Sequence, residues 1–249
     1  MKKTLLAIAA ATASATVFAQ AAAPAAPEPD YTWAFNVGAV TEYRYRGIAQ
    51  TRKDPALQGG IDFSHKSGLY LGTWASTIKW IKDAGGKSDA EVDFYGGFKN
   101  TFGDSGVGYD VGVLRYQYYN NKLAVSPNTT EIYGALSYSV ATLKYSHSVT
   151  NLFGFANSKT SGYLDLSATF DLGNGFSLVP HIGHQRIDGT GNGFFSYTDY
   201  SLTLGKDFGN GLSASLAAIG TDANRGAYVA PNGKSLSKGT LVAGIKYSF

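Results

Sequence analysis

Residues Thr240 to Phe249, TLVAGIKYSF, put Leu241, Ala243, Ile245, Tyr247 and Phe249 on one side of an extended chain. Thr240, Gly244, Lys246 and Ser248 fall on the other, with Val242 the apolar exception. A period of two is the side-chain period of a β-strand. A terminal strand with one greasy face cannot be left as a free edge, because its unpaired N–H and C=O groups would recruit another chain. It has to be closed on by a partner strand. The pattern recurs through the chain, so the fold is constrained to strands arranged in a sheet with no open edge.

The amino end differs. MKKTLLAIAAATASATVFAQ has Lys2 and Lys3, an Ala-rich apolar run, and Val17-Phe18-Ala19 before Gln20. This is the plan of a cleaved secretory leader over residues 1–19, and its apolar run falls short of the roughly 20 residues a spanning helix needs. Residues 20–30 are Ala/Pro-rich and read as an extended periplasmic tether. Without Lys2 and Lys3 the charge is 19 Lys+Arg against 18 Asp+Glu, so nothing points to a nucleic-acid partner. With no cysteine the exported chain holds no disulfide. The 31 Gly, 17 Tyr and 14 Phe favour many strands and tight turns over helices.

The first strand reads from Tyr31 to about Gln50, with Trp33, Phe35, Val37, Ala39, Tyr43 and Tyr45 on one face and Asn36, Glu42, Arg44 and Arg46 on the other. Further alternating runs follow after TRKDP and after Lys66-Ser67-Gly68. The sides of Leu69 to Ile81 are not assignable, and a change of phase near Leu114 suggests a β-bulge. Gly173-Asn174-Gly175 and Gly209-Asn210-Gly211 are strong hairpin signals. Pro180 is awkward inside a doubly paired strand. The sum is about 12 strands, joined alternately by short turns and long polar loops, the habit of a bacterial transmembrane barrel. The expected fold is all-β, an antiparallel up-and-down transmembrane β-barrel over residues 31–249.

Aromatics near strand ends, among them Tyr43, Tyr45, Tyr116, Tyr118, Tyr119, Tyr197 and Phe208, then read as interfacial girdles. If the apolar face meets lipid, the lumen receives Glu42, Arg44, Arg46, Asp62, Glu91, Asp93, Lys99, Asp110, Glu131, Lys144, Asp165, Asp199 and Lys246. Eight acids against five bases suggest a slight preference for cations, and the same charges could pair into a plug. Glu42, Arg44, Arg46 and Asp93 are the first candidates for a constriction.

No catalytic residue and no metal or cofactor site is expected. His65-Lys66-Ser67 lies in a turn and His147-Ser148 points to opposite faces, so neither pair presents a nucleophile to a base. His181 and Gln185 line the lumen and His184 faces lipid, so the two histidines hold no metal together.

The span Asn36 to Ser76, with YRYRGIAQT and DPALQGG, resembles a bacterial family filed as TorF-type porins, formerly as conserved proteins of unknown function. EVDFYGGF, GYDVGVLRYQYY and EIYGALSYS look like later blocks of it, and Arg115 departs from an otherwise aromatic block and would tune the lumen. The resemblance implies an outer-membrane barrel and carries no catalytic or substrate residue. The expected function is a Gram-negative outer-membrane channel for passive diffusion of small hydrophilic solutes or ions, with a closed adhesive or structural barrel as the alternative. Tyr247 and Phe249 resemble the signal read by the barrel-assembly machinery, and the lipid of the outer membrane is the expected surround. Further assembly into an oligomer is left open by the sequence.

Overall fold

The structure, a computed structural model, describes residues 29–249; the leader and nearly all of the tether lie outside the described residues. Twelve strands alternate in direction: β1 Tyr31–Val40, β2 Ala56–His65, β3 Leu69–Thr77, β4 Ala90–Thr101, β5 Val107–Gln117 and β6 Thr129–Tyr138 form the first half. β7 Ala141–Ser148, β8 in two pieces Gly162–Ala168 and Phe170–Gly173, β9 Phe176–Arg186, β10 Tyr197–Gly209, β11 Leu212–Thr221 and β12 Thr240–Ser248 form the second. Each pairs antiparallel with its neighbours in sequence, and β1 pairs with β12 from Asn36↔Ser248 to Val40↔Gly244. The seam runs to the last residue, where Phe35 and Phe249 exchange two backbone hydrogen bonds of 2.9 Å. The ring has no free edge.

One end carries turns of two to five residues, the other six long loops. Asn174 and Gly175 take φ of 52° and 74°, and Asn210 and Gly211 take 51° and 82°. These are the paired positive φ values of the type I′ turns that the two Gly-Asn-Gly motifs predict. Pro180 is accommodated by a local lapse in pairing. The β8–β9 ladder stops at Ser167↔His181 and resumes at Phe170↔Leu178. Thr169, in the gap, keeps its bond to the strand on the other side, donating to Val140 O at 2.8 Å. A residue without an N–H therefore sits where the ladder asks for none.

Burial is inverted relative to a water-soluble protein. Trp33, Phe35, Val37, Leu57, Ile61, Leu71, Phe94, Val111, Ile132, Leu164, Leu202, Leu241 and Ile245 all face outward and are exposed. Glu91, Asp93, Asp110, Glu131, Gln185 and Asp199 face inward and are buried. A wall that is apolar outside and polar inside is the arrangement of a barrel solvated by hydrocarbon.

Several local expectations are corrected. The first strand ends at Val40, not Gln50; the chain bends at Thr41 and folds into the lumen. Tyr43, Tyr116, Tyr118 and Tyr197 are buried inside the barrel, Tyr45 packs with them, and only Tyr119 and Phe208 of the supposed girdle are outward and exposed. An outer aromatic belt exists at the turn end, built from other residues: Trp33 packs on Phe63 at 5.0 Å, Phe102 on Tyr109 at 4.5 Å and Phe35 on Phe249 at 5.7 Å. β5 keeps unbroken register past Leu114, so there is no bulge. Leu114 points inward and breaks the polar pattern because it packs on the buried tyrosines. Arg115 is consequently outward, bonded to Gln117 and to Thr130 at 2.9 Å, and does not reach the lumen.

Candidate functional site

The segment between β1 and β2 forms a small hairpin, Arg44–Tyr45 against Ile48–Ala49, inside the loop-end half of the lumen. Its turn places Arg46 and Gly47 at φ of 46° and 77°. Gly47 is required twice over. Its conformation disfavours a side chain, and a Cβ there would come within 2.5 Å of Thr221 and 2.8 Å of Asp199. The hairpin tip thus lies against the β10–β11 wall. Ala49 N donates to Leu236 O at 2.9 Å, stitching it to the last loop.

From this tip Arg46 reaches across the barrel. Its guanidinium makes two bonds to Glu131, 3.1 and 2.7 Å, and one of 2.5 Å to the Gln185 amide oxygen. The same group lies 4.2 Å from the Tyr163 ring centroid and 4.8 Å from that of Tyr45. Arg44 is tied within the hairpin, to Glu42 at 2.9 Å and Gly47 O at 2.7 Å. Tyr43 and Tyr118 each donate to Glu91 at 2.6 Å, and Tyr45 bonds to Tyr116. Trp74, Ile78, Ile81 and Leu114 pack around these rings. Glu91 and Glu131 are 2% and 1% exposed, so this half of the lumen excludes water. Each carboxylate is held by charge or by hydroxyl donors, as burial of a charge demands. Asp93 Oδ1 is the exception, buried with no hydrogen-bond partner.

Around and below the hairpin the inward residues are more mixed, with Asp110 and Asp199 buried and Asp62, Lys144, Asp165 and Lys246 partly exposed. Tyr95 donates to Asp62; Tyr70 donates to Asp110 at 2.6 Å and bonds to Tyr133. Lys144 Nζ lies 3.9 Å over the Tyr133 ring and Lys99 Nζ 5.4 Å over Tyr70. His181 bonds to Asp165 at 2.8 Å and sits 3.7 Å from Asp199, which accepts from Tyr163 at 2.9 Å. Lys246 projects from β12 on the same inner side. Tyr70 and Tyr133 lie over Gly97 and Gly112, their paired residues on the next strands, where any Cβ would stand 2.5 Å from the hydroxyl. The rings therefore lie flat on the wall instead of crossing the bore.

The structure divides the thirteen candidates into two groups by position. Glu42, Arg44, Arg46, Glu91, Asp93 and Glu131 converge on the hairpin; Asp62, Lys99, Asp110, Lys144, Asp165, Asp199 and Lys246 line the wall around and below it. Sequence reasoning missed the tyrosines that fill the loop half. Their alternation with Glu and Arg looks like a strand, and inward apolar positions such as Trp74, Leu114 and Val242 betray a dry interior. His65 and Ser67 do meet, with Nδ1 2.8 Å from Oγ, contrary to expectation. That Nδ1 also accepts the Ser67 N–H at 3.2 Å, so the contact closes the turn. Among the described residues no three His, Asp or Glu side chains could hold a metal ion together.

In the loops, Asp54 is bonded by Lys79 at 2.5 Å and Asp89 by Lys82 at 2.8 Å. The ammonium groups hold both carboxyls below the ordinary range.

Solved structures share the architecture. A "KdgM porin in complex with disordered oligogalacturonate" superposes with a TM-score of 0.57 at 9% identity, over 87% of this chain and 99% of that one. A NanC porin gives 0.56 at 11% identity over 86% and 98%. A COG4313 outer membrane channel from Pseudomonas putida F1 gives 0.53 at 12% identity over 90% and 98%. At such identities the likeness is one of fold. No curated protein matches the chain significantly. A family model described as "Bacterial protein of unknown function (Gcw_chp)" matches residues 22–249.

Proposed function

The chain belongs to the Gcw_chp family of bacterial proteins of unknown function, and from that premise we propose that it is a porin-like channel of the Gram-negative outer membrane. It passes small hydrophilic solutes or ions by diffusion, and the Arg46 hairpin sets its narrowest point. The observation that carries this reading is the inverted burial of a closed ring of twelve strands, apolar outside with polar and charged side chains facing the interior. The TorF-type likeness of YRYRGIAQT agrees with it, and that segment is the one that folds inward.

Export by the residue 1–19 leader, a periplasmic position for the tether and turns, and use of Tyr247 and Phe249 as the assembly signal belong to the same proposal. The outward Trp33, Phe35 and Phe102 would meet lipid headgroups at the turn end. No reaction is assigned to the barrel.

A second reading is a closed barrel whose loops act outside. The dry packing around Glu91 and Glu131 favours it. Planar-bilayer recording on refolded residues 20–249 in a salt gradient separates the two. Discrete conductance steps support the channel. A silent bilayer, with folding confirmed by heat-dependent gel mobility, supports the closed barrel.

A further inference from the structure

Charge is distributed unevenly along the barrel axis. The six long loops, 41–55, 78–89, 118–128, 149–161, 187–196 and 222–239, hold twelve Lys or Arg against six Asp or Glu. The twelve strands hold six against nine, and the short turns add one Lys and one Asp. The count of lining residues that pointed to cations leaves out this surplus, which is what a solute arriving at the loop end would meet first.

The surplus is concentrated where two loops touch. Loop 222–239 is joined to loop 41–55 by the Ala49–Leu236 bond, and Lys234 Nζ lies 3.5 Å from Arg52 O and 3.9 Å from Asp54. Asp54 is already engaged by Lys79 and Glu42 by Arg44, so each acid near Lys53 is shared with another cation. Burial lowers the Lys53 pKa, and the charges of Arg44, Lys238 and Lys234 are near enough to lower it further, against an opposing pull from Glu42. The backbone presents this lysine at a cost. Arg52 and Lys53 adopt φ of 57° and 67°, consecutive left-handed residues with long cationic side chains where Gly or Asn would fit without strain.

We propose that Lys53, Lys234 and Lys238 form an anion-binding rim at the loop mouth, taking small solutes that carry several phosphate or carboxylate groups. Lysine is a flexible point charge, so the rim recognises charge more than shape, and its hold weakens with salt. The rim rests on the channel reading only for which way the mouth faces, because binding is measured without conduction. Sodium tripolyphosphate titrated into the detergent-folded barrel at low ionic strength should bind, and K53Q/K234Q/K238Q should lose about tenfold in affinity, an effect typical of electrostatic focusing. Lys66→Gln, at the turn end, should change nothing. Vesicles of anionic phospholipid that compete with tripolyphosphate would assign the rim to lipid headgroups, and overturn a soluble ligand. Absence of binding, or equal binding by the triple variant with normal heat-dependent gel mobility, overturns the rim. If the bilayer is silent but the triple variant loses binding, the rim stands and the channel falls. Conduction without tripolyphosphate binding leaves the channel standing and removes the rim.

Discussion

The two halves of the lumen use the same side chains for opposite ends. In the loop half tyrosines stand away from the wall and fill the bore, donating to Glu91 and bonding to one another through Tyr45 and Tyr116. Below them Tyr70 lies over Gly97 and Tyr133 over Gly112, Tyr133 still touching the buried cluster. Residue type does not decide between them. The neighbours differ: glycines lie beneath the rings of Tyr70 and Tyr133, the hairpin packs on those of Tyr116 and Tyr118, and Tyr163 lies over Gly183 while meeting Arg46. A tyrosine-rich lumen is thus compatible with both a plug and a passage.

The contrast between the halves is most vulnerable at Arg46. Arg46→Ala would leave Glu131 buried without its cation, at a cost of about 3–5 kcal/mol. Urea unfolding in micelles should show that loss, and bilayer recordings should show larger conductance as the hairpin loosens. Adding Glu131→Gln should recover part of the stability; no recovery would mean that Arg46 acts by packing alone. Tyr43→Phe should cost about 1.5–3 kcal/mol, the range for a hydrogen bond to a buried charge, with its companion Tyr118 still bonded to Glu91.

In the other half, Gly112→Ala should cost about 1–3 kcal/mol through overpacking against Tyr133. Conductance should fall as the ring is pushed into the bore; an unchanged conductance would mean that this half is not limiting. Asp165→Asn, whose amide oxygen can still accept from His181, should alter stability by about 1 kcal/mol. The smallest effect belongs to the exposed rim. The Asp54 carboxyl is held below its ordinary pKa by Lys79. Its contribution is therefore complete above the unfolded-state value and is lost as pH falls through the lower folded value. Lys79→Ala should remove that acid dependence while changing neutral stability by no more than about 0.5 kcal/mol.

Much of this was legible in the sequence, for a physical reason. Strand, turn and facing depend on local alternation, and TLVAGIKYSF or Gly-Asn-Gly carries that information within a few residues. The plug was not legible, because its alternation is locally indistinguishable from a strand. What makes Tyr43 to Gln50 turn inward is a set of acceptors on β4, β6 and β9, which no window around the hairpin contains. The same limit hid the facing of Arg115, since an inward Leu114 reads as a slipped register until its partners in the plug are known.

The seam between β1 and β12 has a consequence for timing. Arg46 lies 85 residues ahead of Glu131 and 139 ahead of Gln185. Closing such distant contacts is slow compared with forming neighbouring hairpins. The ring itself cannot shut until Phe249 reaches Phe35. Seating the hairpin and shutting the seam are thus both late events. A barrel caught open during assembly would have an empty bore, its first loop still hanging outside.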